Sequence, residues 1–118
     1  MTLNIGHSRL RLGRVSEPGR IYLITTVTWN RAPIFRDYRA ARIAARIIHR
    51  TSTWKHAECL AWVLMPDHWH GLLRLHDRGD LSKAVGKMKS LVARALRDEG
   101  RTSPLWQRAF HDRALRED

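Results

Sequence analysis

The stretch AWVLMPDHWHGLL, residues 61–73, decides the predicted fold. It reads as a strand, a tight break at Pro66, and a second strand that begins at His68 and returns antiparallel to the first. Because side chains alternate between the two faces of a strand, His68 and His70 point to one face and Trp69 points to the other. Two neighbouring neutral imidazoles on a rigid strand are a good half-site for a divalent metal ion.

The segments on either side of this hairpin predict the rest of an α+β domain. Residues 20–29 are rich in β-branched and aromatic residues, which favours a strand. Apolar residues at helical spacing predict helices over residues 37–50 and 81–97. The two strands of the hairpin itself are predicted at residues 57–65 and 68–75, and a last strand is predicted at residues 105–115. This order is typical of a ferredoxin-like sandwich, with an antiparallel sheet and both helices on one face. The other face is free to present His68 and His70.

The charge of the chain is strongly positive and points to a polyanionic partner. The 118 residues, the length of one domain, include 22 lysines and arginines against 11 acidic residues, a formal net charge of +11. Most of the basic residues are arginine, whose guanidinium group makes bidentate contacts with phosphate. Nucleic acid is therefore favoured over a membrane surface as the partner. The alternative is a small protein that is simply basic.

The sequence predicts a cytoplasmic protein with a basic arm and one folded domain. Cys59 is the single cysteine, and its apolar neighbours predict a buried, reduced thiol rather than a disulfide. No apolar run is long enough to span a bilayer, and the start of the chain is not a signal peptide. Residues 1–19 are expected to be poorly structured, either as an arm over phosphates or as a disordered tail, and residues 20–118 to be folded. The arginines of this arm are Arg9, Arg11, Arg14 and, at its end, Arg20.

Four blocks of the sequence together resemble a known family. They are YLITTVTWNRAPIF at 22–35, AWVLMPDHWHGLL at 61–73, LSKAVGKMKS at 81–90 and LWQRAFHDRALR at 105–116. Their order and spacing are similar to those of REP-associated tyrosine transposases, which are relatives of the one-tyrosine HUH single-strand transposases. The two histidines alone are a weak signal, whereas their combination with LWQ and a basic helix is specific. The resemblance covers the chain from Gly19 onward.

The resemblance implies a metal-dependent reaction on DNA, that is, DNA transposition. Mg²⁺ or Mn²⁺ on His68 and His70 polarises the scissile phosphate of single-stranded DNA, and a tyrosine hydroxyl attacks it. The products are a 5′-phosphotyrosine link and a free 3′-hydroxyl, which can reverse the step and rejoin the strands. The DNA is held as an imperfect hairpin, and related transposases can be homodimers.

The sequence departs from this family at the nucleophile. In the family, the catalytic tyrosine lies on a helix after the LWQ strand, whereas this sequence ends at Asp118, where that helix is expected to begin. Its two tyrosines, Tyr22 in the first predicted strand and Tyr38 at the start of the first predicted helix, do not match that position. The expectation is a copy that lacks its final helix and its nucleophile, so no catalytic residue is assigned. The other interpretation is that a partner chain supplies the helix.

Candidate DNA contacts combine basic and aromatic side chains. Phosphate contacts by lysine and arginine release counterions, and tryptophan rings stack on unpaired bases. The residues expected to contact DNA are Arg31, Lys83, Lys87, Lys89, Ser90, Arg94 and Trp106, with Trp29 and Trp54 as further candidates for stacking. The alternatives are a solvated helix face and core packing. Asp67 either orients a histidine or belongs to the turn, and His111 and Asp112 are candidates for a role near the metal.

Four functions remain open from the sequence. The first is a transposase domain that cleaves and rejoins DNA, and the second is a non-catalytic protein that binds DNA hairpins. The third is a small zinc hydrolase, because His-x-His pairs also occur in zinc sites, although such an enzyme needs a further ligand and a carboxylate. The fourth is a basic DNA coat protein, in which the histidines have no role in DNA binding.

Overall fold

The computed structural model describes residues 17–115 in full and the backbone of Thr2–Leu3, Arg9–Leu10 and Arg116. Arg11 and Arg14, expected in a phosphate-binding arm, lie outside the described residues, as does the side chain of Arg9. Within the described part, the strands are β1 (Thr2–Leu3), β2 (Arg9–Leu10), β3 (Ile21–Val27), β4 (Ala57–Met65), β5 (His68–Leu75) and β6 (His111–Arg116). The helices are α1 (Tyr38–His49) and α2 (Leu81–Asp98), and short 3-10 turns cover Trp29–Arg31, Ile34–Arg36 and Thr51–Thr53.

The sheet confirms the predicted ferredoxin-like architecture. Its long strands lie in the order β4-β5-β3-β6, and each neighbouring pair is antiparallel. The short strands β1 and β2 both pair with β6. The expectation of a poorly structured arm is therefore wrong at these four residues, where the arm pairs with backbone groups of β6 that would otherwise lack partners.

Two of the predicted strands are shorter in the structure. The strand β3 ends at Val27, because the backbone enters a 3-10 turn at Trp29–Arg31. The last strand begins at His111 rather than at residue 105. Before that point an isolated bridge between Thr28 and Trp106 joins the segment to the sheet. The apolar residues that predicted a strand there are instead buried without a continuous ladder of hydrogen bonds.

The core lies between one face of the sheet and the two helices. Tyr22 and Ile24 of β3 and Trp69 of β5 are buried on this face. The Trp69 ring stacks on Trp54 with 6.0 Å between ring centroids, and it covers Gly71, where an added Cβ would come within 2.1 Å of the indole. Because Trp69 points into the core, its neighbours on β5 point to the opposite, open face of the sheet.

Both helices begin at an aspartate that caps the first turn. The carboxylate of Asp37 accepts from the backbone N–H of Ala40 at 3.3 Å, and that of Asp80 accepts from Lys83 at 3.1 Å. The apolar faces of α1 and α2 are buried, and their arginines and Lys83 lie on the outside. Among the described residues, no helix is long and apolar enough to cross a membrane.

The single cysteine lies on β4 and packs against the core. Cys59 is free and half-buried, and desolvation raises the pKa of its thiol to about 11. The thiol is therefore protonated at neutral pH and a poor nucleophile, as the sequence predicts for a reduced core residue.

Candidate metal and nucleic-acid site

The two histidines lie side by side on the open face of the sheet. His68 and His70 occupy alternate positions of β5, on the side opposite to the buried Trp69. Their ring centroids are 4.6 Å apart, with the ring planes at 74°. The His68 side chain is 21% exposed, and His70 is half-buried, so both imidazoles are accessible from this face. The structure thus brings together the pair that the sequence predicts as metal ligands.

Each histidine is oriented through its Nδ1 atom by a polar neighbour. The Oδ1 atom of Asp67 lies 2.7 Å from Nδ1 of His68, and Oγ1 of Thr25 lies 2.8 Å from Nδ1 of His70. When Nδ1 carries the hydrogen in both bonds, each Nε2 presents its lone pair to a ligand. A hydrogen-bond acceptor behind the imidazole, most often a carboxylate or a backbone carbonyl, is the usual arrangement of a metal-binding histidine.

The electrostatics of the pair favour neutral His70 and ionised Asp67. Burial, and then the neighbouring His68, lower the pKa of His70, which keeps this imidazole in the form that binds metal at neutral pH. The hydrogen bond from His68, reinforced by Arg31, lowers the pKa of Asp67. The ionised carboxylate in turn makes the imidazole of His68 a more basic, and therefore stronger, ligand for a cation.

The donor set fits a divalent ion that accepts imidazole nitrogen, but it is not complete within the described residues. No group of three or more histidines, cysteines or acids is close enough there to hold a metal ion. The remaining coordination positions would be filled by oxygen from water or phosphate. Two nitrogen ligands suit Mn²⁺ better than Mg²⁺, which prefers oxygen.

Arg31 lies beside the histidine pair, on the loop that follows β3. Its Nε and a terminal nitrogen are each 3.3 Å from Oδ2 of Asp67, and its side chain is 66% exposed. The loop is held in place by Thr28, whose backbone N–H and hydroxyl both donate to the carbonyl of Asp67, at 2.9 and 3.0 Å. The sequence-predicted phosphate contact therefore lies next to His68, linked to it through Asp67.

The other predicted DNA contacts lie in the helix layer, on the far side of the sheet from the histidines. Lys83, Ser90 and Arg94 are exposed on α2. Lys87 is half-buried, and its Nζ donates to the carbonyl of Ser52 at 3.1 Å. The structure therefore does not bring these residues together with the metal-ligand candidates, because Trp69 and the rest of the core lie between them.

The amine of Lys89 is hydrogen-bonded to backbone carbonyls of the protein. Its Nζ donates to the carbonyls of Gln107, Ala109 and Arg108, at 2.7, 3.2 and 3.5 Å. Burial lowers the pKa of Lys89 to about 8. These contacts argue against the DNA-binding role expected of this lysine and show instead that it fixes the segment that leads into β6.

Trp106 packs in the core next to this lysine. It is 8% exposed, its Nε1 donates to the carbonyl of Lys89 at 3.1 Å, and its ring packs on Phe35 with centroids 5.6 Å apart. Trp54 is also buried. Neither ring has a free face for a base, so core packing, the alternative for Trp106, fits the structure better than stacking. Trp29, in contrast, is 45% exposed.

The two tyrosines lie in different environments. Tyr22 is 4% exposed, and its hydroxyl accepts a hydrogen bond from the backbone N–H of Glu17 at 2.8 Å. Tyr38 is 77% exposed as the first residue of α1. The burial of Tyr22 agrees with a structural role in the sheet, and we assign no catalytic role to either tyrosine.

His111 shares a row of the open face with the histidine pair. In the strand register, Thr25 pairs with His70 on one side and with His111 on the other. His111 is half-buried, whereas its neighbour Asp112 is buried on the core side, at 2% exposure. His111 therefore stays a candidate for a role near the metal, and Asp112 faces away from the site.

Thr25 is the site residue that the sequence did not reveal. Its hydroxyl orients His70 across two strands that are 45 residues apart in the chain. The sequence did indicate the first strand through its β-branched residues. It did not indicate which residue of that strand lies opposite His70, because the register cannot be read from composition or alternation.

The chain matches a family model over most of its length. A sequence model of the family described as "Transposase IS200 like" matches residues 19–114. The chain belongs to this family. The IS200-like fold is shared by a REP-associated tyrosine transposase solved in complex with a REP hairpin, with a TM-score of 0.69 and 21% sequence identity over 92% of this chain. A protein from Deinococcus radiodurans assigned as a transposase gives a TM-score of 0.64 and 20% identity, also over 92% of the chain.

These comparisons confirm the resemblance to REP-associated tyrosine transposases that the sequence indicates. The IS200-like chain spans 63% of the length of the REP-associated transposase and 86% of that of the Deinococcus radiodurans protein. None of the curated proteins compared with the chain matches it in sequence.

Proposed function

We propose that this chain is the DNA-handling domain of a transposase, which binds single-stranded or hairpin DNA and a divalent metal ion for strand cleavage and rejoining. The observation that carries the proposal is the pair His68 and His70, presented on one face with both Nδ1 atoms held by Asp67 and Thr25. A purely structural role for the two histidines would not need both rings to lie partly exposed on the same face. The IS200-like family and the fold support a transposase rather than another metal-dependent enzyme.

In this proposal His68 and His70 hold Mg²⁺ or Mn²⁺ through their Nε2 atoms. When bound, the ion supplies a Lewis acid that polarises the scissile phosphate. Asp67 and Thr25 keep the two rings in the binding orientation. Arg31 adds a positive charge next to the pair and contacts a phosphate of the same strand.

The DNA contacts of the proposal are divided between two faces of the domain. The exposed Lys83, Ser90 and Arg94 bind the backbone of a DNA hairpin on the helix layer, whereas the histidines bind the strand on the open face. A single DNA molecule that engages both must pass around the edge of the sheet. Because phosphate contacts release counterions, binding weakens steeply as salt is raised. The hairpin in the complex of the REP-associated transposase supports this class of ligand.

A non-catalytic protein that binds DNA hairpins is the second candidate function. It is favoured by the tyrosines, since Tyr22 is buried and Tyr38 does not match the position expected of a nucleophile. The two functions share metal and DNA binding and differ in the covalent step. A cytoplasmic location and a homodimer stay predictions.

The test is to incubate the chain with a labelled single-stranded DNA that contains a hairpin, with and without Mn²⁺, and to run native and denaturing gels. We expect a native complex that Mn²⁺ strengthens, and we expect the Mn²⁺ effect to disappear in the double variant His68→Ala/His70→Ala. A band that survives denaturation would show covalent attack, and its loss in Tyr38→Phe would identify the nucleophile.

Three outcomes would contradict the proposal. The absence of any native complex would rule out DNA handling by this chain. A complex whose affinity is the same with and without Mn²⁺, and the same in the double variant, would favour a DNA coat protein in which the histidines have no role. Tight zinc binding without DNA affinity would favour the hydrolase.

A further inference from the structure

Trp29 is an exposed tryptophan on a fixed backbone. All five tryptophans of the chain lie in the described residues, and Trp29 is the most exposed of them, at 45%. Its backbone N–H donates to the carbonyl of Leu105 at 2.9 Å, and its own carbonyl accepts from Ala32 at 3.1 Å. The backbone of Trp29 is therefore fixed while nearly half of the residue stays open to solvent, and an exposed tryptophan of this kind can stack on a ligand.

The two residues after Trp29 have backbone conformations that side chains disfavour. Asn30 has a φ of 55° and Arg31 a φ of 52°, both in the left-handed region. This turn brings the Arg31 side chain back to the carboxylate of Asp67 and leaves Trp29 outside the core. Strained conformations of this kind persist where the surrounding structure enforces them, and they cluster at functional sites.

The position of Trp29 relative to the histidines follows from the strand that precedes it. Val27 pairs with His68 in the register of β3 and β5. Thr28 is extended, with φ −69° and ψ 156°, and its side chain is buried on the opposite side. Trp29 then begins the 3-10 turn, between Thr28 and Arg31, which both hydrogen-bond to Asp67, the residue before His68.

We propose that Trp29 is a stacking platform for one unpaired base of the DNA strand whose phosphate lies at His68 and His70. Arg31 contacts the phosphate next to that base through the guanidinium nitrogen that is not bonded to Asp67. The inference rests on the proposed function and adds a subsite to it, with an unpaired nucleotide as the ligand. Stacking on an aromatic ring tolerates any base, so the platform fixes the position of the strand rather than its sequence.

The experiment measures the affinity of a fluorescein-labelled hairpin with a single-stranded extension, by anisotropy, for the wild-type chain, Trp29→Ala and Trp29→Phe. We expect Trp29→Ala to lose about 5- to 150-fold in affinity, the equivalent of ~1–3 kcal/mol of stacking, and Trp29→Phe to retain most of it. Tyr38→Ala, which removes an exposed aromatic ring from α1, is the matched control and should bind like the wild type.

A set of oligonucleotides with one abasic site at each position of the extension locates the base. One abasic site should weaken binding to the wild type and have no further effect on Trp29→Ala, because both changes remove the same contact. Equal affinities of the wild type and Trp29→Ala, with a DNA complex still formed, would overturn the platform and leave the proposed function standing. A wild-type chain that binds no DNA at all would overturn the proposed function itself.

Discussion

The hydroxyl of Thr25 lies 2.8 Å from Nδ1 of His70, so the first long strand of the sheet orients a histidine of a strand that follows 45 residues later. Asp67 does the same for His68 from the adjacent position in the chain, at 2.7 Å. The two contacts come from different elements and act on the same atom of each ring. The open face of the sheet therefore presents two imidazoles that are oriented before any ligand binds.

The variants Thr25→Val and Asp67→Asn test this orientation. Each should lower the affinity for Mn²⁺ by about 10- to 100-fold, because the loss of such a partner leaves the ring free to rotate or changes its tautomer. Isothermal titration calorimetry measures the effect, and Thr102→Val, at an exposed position, is the control. Unchanged affinity in both variants would mean that the two contacts do not support a metal site.

Gly71→Ala should destabilise the fold, whereas Gly86→Ala should stabilise it. A Cβ at residue 71 would come within 2.1 Å of the Trp69 ring, and the displacement of a fully buried indole costs about 1–3 kcal/mol. Residue 86 lies exposed within α2 with nothing in the way of a Cβ, so alanine there gains about 0.5–1 kcal/mol from helix propensity. Urea denaturation gives both free energies of unfolding, and a Gly71→Ala variant as stable as the wild type would contradict the packing described.

Lys89 should make the stability of the fold depend on pH. Below about pH 8 its amine is charged in the folded and unfolded chains, and the folded chain bears the cost of burying it. Between about 8 and the ordinary pKa of 10.5, the folded chain has lost the proton and the unfolded chain has kept it, so the free energy of unfolding rises with pH. The wild type should therefore gain stability relative to Lys89→Met from pH 7 to pH 10.

The control for this prediction is Lys83→Met on the same helix, where the side chain is exposed. The difference in the free energy of unfolding between the wild type and this control should be the same at both pH values. The affinity for DNA should fall in Lys83→Met. Any loss of DNA affinity in Lys89→Met should be indirect, because this variant loosens the segment before β6. A difference between wild type and Lys89→Met that does not change with pH would contradict the buried position of the amine.

The order of the elements could be predicted from the sequence because local patterns decide it. Alternation in AWVLMPDHWHGLL placed His68 and His70 on one face, and the structure agrees, since Trp69 is buried behind them. The helix limits agree within a residue or two, because apolar spacing and capping aspartates define them. These features depend on contacts between residues that are close in the chain.

The parts that the sequence did not predict depend on contacts between distant residues. The Thr25 contact needs the register of β3 against β5, and the role of Lys89 needs the path of residues 107–109 over α2. An apolar, aromatic segment such as residues 105–110 can be a strand or a packed loop, and only its neighbours in space decide which. A basic residue on a helix is read as solvent-exposed unless the carbonyls that surround it are known.

The most direct test of the central claim is a titration with Mn²⁺, with free Mn²⁺ followed by electron paramagnetic resonance in the presence of the hairpin DNA. The uptake of Mn²⁺ by the DNA alone is subtracted. We predict a single Mn²⁺ site per wild-type chain and no such site in His68→Ala/His70→Ala, with circular dichroism spectra that show the same fold. Equal Mn²⁺ uptake by the two proteins would contradict the assignment of this histidine pair as the metal site.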